Sequence, residues 1–474
     1  MVLTRDRGSV GKPLCEMRYH RDSSVTKNVV IVGGGLAGLA ASIYLARAGR
    51  TVTVFEKRRY LGGRAITQLR HGYRFNLGAH AFYRWGPAAA VCKELGVPIQ
   101  GVAPKPWAIA LIDGEERMLP TRVLSFLATS LLSLGGKAQL AAALWKIRRL
   151  DRATVGSLTL REWLDSNLSD ARARQVLESL IRLATYSDHA DSASAAFALA
   201  QMRVALRGAV YVHEGWQRIV DSMHSTAISS GVNFVTSSRI VGIDHDELGV
   251  RSVRLGGLEL DADRMDTHAI AFPEMTPEQV EGARLPASTV ILAVDPACAA
   301  ELVGDAGASW ATARPVTAAC LDVSLRTLPN PKRTFALGID EPLYFAAHSA
   351  WAQLTPKGGA LIHTVKYRRE QTATDVEIES ERTRRDEAAA ADERALESLL
   401  DRMQPGWRDV LVHRRFLPSM TVSNALVTPS SPRPSVKTRV PGLFLAGDWV
   451  GDEGLLSDAA LASARAAAKA VLAS

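Results

Sequence analysis

The spacing of apolar residues changes character several times along the chain. Val29, Val30, Ile31 and Val32 form an unbroken β-branched run, which predicts a fully buried parallel strand. A glycine cluster follows, then helical spacing from Leu36 to Ala48, closed by Gly49. Thr51 to Phe55 alternates as a second strand and ends at Glu56, so residues 28–56 predict one βαβ unit. Farther on the period is helical at Leu124 to Leu150, Thr159 to Asn167 and Ala171 to Ala184, punctuated by Pro120, Gly135, Gly136 and Gly156. A helix is expected around Gln217 to Ser229, then strands at Asn233 to Val235, Arg239 to Ile243 and Thr289 to Val294. Residues 316–366 read as strand-rich, with Ala318 to Leu325, Tyr344 to His348 and Ala360 to Lys366 as the candidates. The interspersed Glu and Arg of Asp375 to Arg402 predict a helix with a solvated face. After a Ser- and Pro-rich connection at 429–438, the pattern closes with strand Leu443 to Ala446, turn Gly447–Asp448 and an Ala-rich helix from Ser457.

Composition narrows the class without naming a chemistry. The 474 residues are 47% hydrophobic and 22% charged, which excludes wholesale disorder and a multi-span membrane protein. The longest apolar stretch, Val123 to Leu134, is interrupted by Ser125, Thr129, Ser130 and Ser133 and is shorter than the roughly 20 residues a span needs. Residues 1–27 are expected to be a disordered leader; they hold no signal-peptide core, and Met17 is an alternative start. Cys15, Cys92, Cys298 and Cys320 stand too far apart for a zinc motif or a disulfide framework, so we expect no metal, reduced thiols and a cytoplasmic chain. The net charge of +8 permits an anionic partner but points to no nucleic acid.

The sharpest signal is Gly33-Gly34-Gly35-Leu36-Ala37-Gly38, a G-x-G-x-x-G between strand and helix. Gly33 permits the turn, Gly35 lets the backbone approach a pyrophosphate at the positive helix end, and Gly38 lets helix and strand touch. Glu56 ends the next strand, 21 residues after Gly35, and can accept both ribose hydroxyls of an adenosine. A dinucleotide site is expected, and the charge of Glu56 disfavours a phosphorylated ribose. Gly62-Gly63-Arg64, with Thr67 beyond it, adds bare backbone and a guanidinium suited to a second phosphate contact.

Glu56 to Arg64, read as E-K-R-R-Y-L-G-G-R, resembles the tandem fingerprint of the FAD-dependent amine oxidase and phytoene desaturase superfamily. Leu443 to Asp448 is similar to that family's closing strand and turn, and Ser238 to Ile243 to the strand whose backbone contacts adenine. The resemblance implies an α/β fold: a Rossmann-like FAD-binding domain of the glutathione reductase / p-hydroxybenzoate hydroxylase type, from residues 28–103, 206–308 and 434–474, with an interleaved α+β substrate domain from 104–205 and 309–433. It further implies FAD contacts at Gly33, Gly35, Leu36, Ala37, Gly38, Glu56, Lys57, Gly62, Gly63, Arg64, Gly78, Ala79, Ile240, Gly447, Asp448 and Ala459. Ala459 and Ala464 stand where the family usually has glycines, and Asn76 where it commonly has Asp.

Family members that attach flavin covalently use a cysteine near the C-terminal motif; none follows Cys320, so the FAD is expected to be non-covalent. The aromatic stretch from which amine oxidases build a cage is not recognisable before Pro441. The resemblance therefore implies hydride transfer from a substrate C–H bond to flavin N5, with a phytoene desaturase-like dehydrogenase of an apolar, isoprenoid-like molecule as the leading expectation. An amine or amino-acid oxidase is the alternative, and a non-catalytic prenyl-binding escort protein a third. Oxygen or a quinone would reoxidise the flavin, and no catalytic base is assigned. His80 is read as structural rather than catalytic. The Leu124 to Leu150 segment, with Trp145, Lys137, Lys146, Arg148 and Arg149, is read as a core helix with a basic face, the alternative being peripheral membrane contact.

Overall fold

The run Val29 to Val32 forms a buried strand, Asn28–Val32, at the centre of a five-stranded parallel sheet. Across that sheet the order is Asn233–Val235, Thr51–Phe55, Asn28–Val32, Val290–Leu292 and Leu443–Leu445. Register places Val32 beside both Phe55 and Leu292, Val235 beside Phe55, and Leu445 beside Leu292. Five strands from distant parts of the chain thus end along one edge, the edge at which open parallel sheets bind ligands. The computed structural model describes residues 28–105, 108–120, 123–258, 282–369 and 378–474. The expected leader, and residues 375–377 of the expected charged helix, lie outside these.

Helices Leu36–Arg47, Gln217–Ser229 and Leu456–Leu472 bury their apolar sides on one face of this sheet. On the other face, Ile240, Ile243, Val253 and Leu255 of a small antiparallel sheet pack on Val32, Phe55, Val290 and Leu292. A second large sheet has seven strands in the order Leu411–Ser423, Val316–Leu325, Ala360–Tyr367, Leu343–Ala346, Phe335–Gly338, Ala108–Ile112 and Glu115–Met118. Alternation splits its strands: Ala318, Cys320, Tyr344, Val365 and Tyr367 face a helical layer, while Ala319, Leu321, Val323, Phe345 and Ile362 face helix Ile378–Met403.

One expectation needs correction, and two further elements were not foreseen. Leu124 to Leu150 is two helices, Val123–Ala128 and Leu134–Arg148, because the hydroxyls between them redirect the backbone. Thr129 Oγ1 donates to Met118 O and accepts from Leu131 N, and Ser133 caps the second helix by accepting from Gly136 N at 2.9 Å. Strands Ala108–Ile112 and Glu115–Met118, ahead of the first helical stretch, were not foreseen; they form a hairpin through Asp113 and Gly114, both at positive φ. The 13-residue strand Leu411–Ser423 escaped notice because, at the sheet edge and largely half-buried, it carries polar and charged residues where a central strand is apolar. Among the described residues no helix is long and apolar enough to cross a membrane.

Candidate functional site

At the shared edge of the parallel sheet, Gly33 has φ +106°, and a Cβ there would lie 2.5 Å from Ala293 O. A Cβ on Gly38 would lie 1.9 Å from Gly33 O, so glycine alone lets the helix begin this close to the strand. Helix Leu36–Arg47 starts at Gly35 with no side-chain cap and no acid in its first turn. A Cβ on Gly35 would meet nothing within 4 Å. The helix therefore presents the amides of Leu36, Ala37 and Gly38, which have no intrahelical partner, to open space that suits a pyrophosphate. Beside it Glu56 is only 9% exposed, its carboxylate fixed by Gly34 N at 2.8 Å and Arg58 N at 2.9 Å. Lys57 is exposed, and Ile240 is buried against Phe55 and Val235.

Gly62 and Gly63, both at positive φ, fold back so that Gly62 N donates to Gly34 O at 2.8 Å. Arg64 follows and forms an ion pair with Asp448 at 2.8 Å while donating to Val422 O. Asp448 is 2% exposed and also accepts from the backbone N and side-chain Nδ2 of Asn424. Burial raises its pKa, but Arg64 and Asn424 outweigh burial and hold the carboxyl below its ordinary value. Gly447 N is held by Ser463 Oγ at 2.9 Å, and Ala459 is wholly buried in the helix that follows. The glycine loops, the uncapped helix, the carboxylate of Glu56 at the strand end and buried Asp448 together fit an FAD.

Thr67 proves to be a structural knot. It donates to Asn76 Oδ1 at 2.7 Å and accepts from Gln217 N at 3.0 Å, while Asn76 Oδ1 also accepts from Trp216 N. This knot sets the path of Gly78–His80 onto the seven-stranded sheet, where a Cβ on Gly78 would lie 2.2 Å from Met420 Sδ and 3.5 Å from Cys320 Sγ. Gly78 and Ala79 are buried. His80 has Nδ1 3.1 Å from Gly78 O and its ring edge-on to Trp216; burial lowers its pKa to about 4, so it is neutral.

The sheet face beneath that loop carries a group of residues the sequence reading did not assemble. Asp322 and His363, cross-strand neighbours and both 0% exposed, meet with His363 Nδ1 2.5 Å from Asp322 Oδ1. Arg415 pairs with Asp322 Oδ2 at 2.5 Å, and Cys320 Sγ lies 3.1 Å from Oδ1. Burial alone would raise the Asp322 pKa, yet His363 and Arg415 hold it at about 2. His348 stacks on Tyr211 with centroids 3.9 Å apart and has Nε2 3.0 Å from Tyr344 OH; its ring centroid is 4.5 Å from that of His363. Burial first, then His363 and His80, keeps the pKa of His348 well below its ordinary value. Cys320, Asp322 and His363 place donor atoms within 4.8 Å of one another, a spacing open to a metal ion. Arg415 already supplies Asp322 with its cation, so the set reads as an ion-pair network. Among the described residues, buried His348 Nδ1, His363 Nε2, Tyr367 OH and Trp216 Nε1 have no hydrogen-bond partner. Each such atom costs about 1–3 kcal/mol unless a ligand or water satisfies it. The signal available in the sequence was a charge, Asp322, inside the apolar strand Val316–Leu325, and His363 inside Ala360–Tyr367.

Residues 36–317 match the sequence profile of the flavin containing amine oxidoreductases. Coproporphyrinogen III oxidase of Propionibacterium freudenreichii subsp. freudenreichii is 30% identical over 165 residues, 32% of this chain and 31% of that one. AofH of Mycobacterium tuberculosis, whose name assigns it provisionally to the flavin-containing monoamine oxidases, is 28% identical over 193 residues, 38% and 41% of the two chains. The 4,4'-diaponeurosporene oxygenase of Staphylococcus aureus is 24% identical over 266 residues, 49% and 53%. The matches thus span between about a third and a half of these relatives. Among solved structures, an oxidoreductase of Methanosarcina mazei superposes with TM-score 0.69 at 17% identity, covering 93% of this chain and all of the other. Putrescine oxidase superposes with TM-score 0.66 at 16% identity, covering 94% and 99%. These structures share the fold.

Proposed function

The chain belongs to the flavin-containing amine oxidoreductase family and is an FAD-dependent oxidoreductase, and from that premise we propose that it oxidises the C–H bond next to nitrogen in a small-molecule amine. The observation that carries the choice is the buried polar face at His363, His348 and Tyr367, whose unpartnered atoms an isoprenoid would leave unsatisfied. Tyr211, Tyr344 and Tyr367, from three separate strands, supply the aromatic surroundings that no single stretch of sequence displays, and aromatic faces attract a cationic amine. The family profile and the putrescine oxidase fold lean the same way, toward the alternative weighed in the sequence reading and away from its isoprenoid expectation.

Bound non-covalently, FAD would supply the hydride acceptor. Leu36, Ala37 and Gly38 would hold its pyrophosphate, Glu56 its ribose, and Gly78–Ala79 and Asp448 would line its flavin half. The protein's part is orientation, exclusion of water by the buried sheet face, and control of the substrate's charge. Family membership sets the non-catalytic escort reading aside. The apolar helical layer and the diaponeurosporene oxygenase match keep isoprenoid oxidation as a second reading. FAD-loaded protein incubated in air with cyclohexylamine and 1,4-diaminobutane is expected to release hydrogen peroxide, and none with a detergent-dispersed polyene. Turnover of the polyene alone would restore the second reading.

A further inference from the structure

We propose that His363 is the catalytic residue that takes the proton from the bound substrate ammonium, and that Asp322, clamped by Arg415, is the positioning residue that leaves the His363 Nε2 lone pair free to do so. The inference rests on the amine reading. An amine dissolved near neutral pH carries an ammonium, and the neighbouring C–H bond gives up hydride only when nitrogen has a lone pair to share. A buried acceptor must therefore remove one proton.

Two histidine nitrogens of the described site are buried without a partner, His348 Nδ1 and His363 Nε2, and the second belongs to the ring that a carboxylate orients. Asp322 Oδ1 lies 2.5 Å from His363 Nδ1, so the carboxylate accepts the Nδ1–H and selects, for the uncharged ring, the tautomer that carries its proton there. Nε2 is then an acceptor, is fully buried, and has no protein partner. Arg415 donates to Asp322 Oδ2 through both Nε and Nη2, which keeps Asp322 ionised and its orientation fixed. The other candidates are engaged or unsuited. His80 has Nδ1 at Gly78 O, His348 is held through Nε2 by the Tyr344 hydroxyl rather than by a carboxylate, and burial and the Asp322 carboxylate keep the Cys320 thiol protonated. The step balances: an N–H bond of the ammonium breaks, an Nε2–H bond of His363 forms, and the electron pair stays on the amine nitrogen. No oxidant is consumed. The imidazolium so formed faces Asp322 and Cys320 on its neighbouring strand, Arg415 behind Asp322, His348 and Tyr344 on its other side, and His80 across the loop.

The test uses FAD-loaded protein and tert-butylamine, which has no C–H beside nitrogen and so binds without reacting, followed by perturbation of the flavin spectrum across pH. In the wild type, the affinity is expected to vary with pH with the slope of a single linked proton, at most about tenfold per unit. His363→Gln should flatten that dependence and slow flavin reduction by cyclohexylamine about 100- to 10,000-fold, the range for a lost general base. Asp322→Asn, with His363 intact, should also slow flavin reduction, because the Nδ1–H of His363 loses its carboxylate acceptor. FAD content and thermal unfolding of each variant show whether it folds. Unaltered pH profile and reduction rate in a folded His363→Gln overturn the proposal. Reduction of the wild type by a polyene, with no response to either amine, overturns the amine reading beneath it.

Discussion

Glu56 shows what one residue contributes when its neighbourhood is local. Its strand, glycine turn and helix are contiguous in sequence, so the carboxylate at the strand end was legible before the structure placed it against Gly34 N. Glu56→Ala is expected to weaken FAD retention by about 1–3 kcal/mol, the scale of a charged hydrogen bond, read as the FAD dissociation constant by flavin fluorescence. Arg64→Ala should weaken it as well, and should in addition leave Asp448 buried without its cation. Thr67 was equally visible as a motif member, yet its hydroxyl serves Asn76 and Gln217. Asp322 and His363 were hidden for the opposite reason: each is a lone polar residue in an apolar strand, and only cross-strand register brings them together.

Among elements, the helix Leu36–Arg47 was readable from period and glycines, whereas the break at residues 129–133 turned on which serine or threonine captured the backbone. The C-terminal helix holds a further feature that periodicity does not reveal. Asp458, in its first turn, is buried against Gly86 and Gly454 and accepts from Ala88 N at 2.8 Å. Burial raises its pKa from 3.8 to about 6. A carboxyl whose folded pKa is raised contributes stability that is fully present below its ordinary value and is lost as pH rises through the folded one. Asp458→Asn, which stays neutral, is therefore expected to raise the melting temperature well above pH 6, by up to about 3 kcal/mol of stability, and to change little below pH 4. Thermal melts across that range check the sign.

On the scale of the whole molecule, strands separated by hundreds of residues end together at one sheet edge, and a second sheet presents its polar face beneath the loop leading from it. Helix Ala171–Thr185 is tied to that second sheet by buried Arg182, which pairs with buried Asp188 at 3.0 Å and donates to Gly338 O and Glu341 O. Asp188→Ala strands a buried guanidinium and is expected to cost about 3–5 kcal/mol in denaturant unfolding. Such long-range ties are invisible to period and motif, which is why the glycine loops and Glu56 were readable and the buried polar group on the second sheet was not. The proposed source of the hydride that FAD accepts is an amine. Anaerobic mixing of the FAD-loaded protein with cyclohexylamine or 1,4-diaminobutane should bleach the flavin band, and a polyene should leave it unchanged; bleaching by the polyene alone would contradict the account.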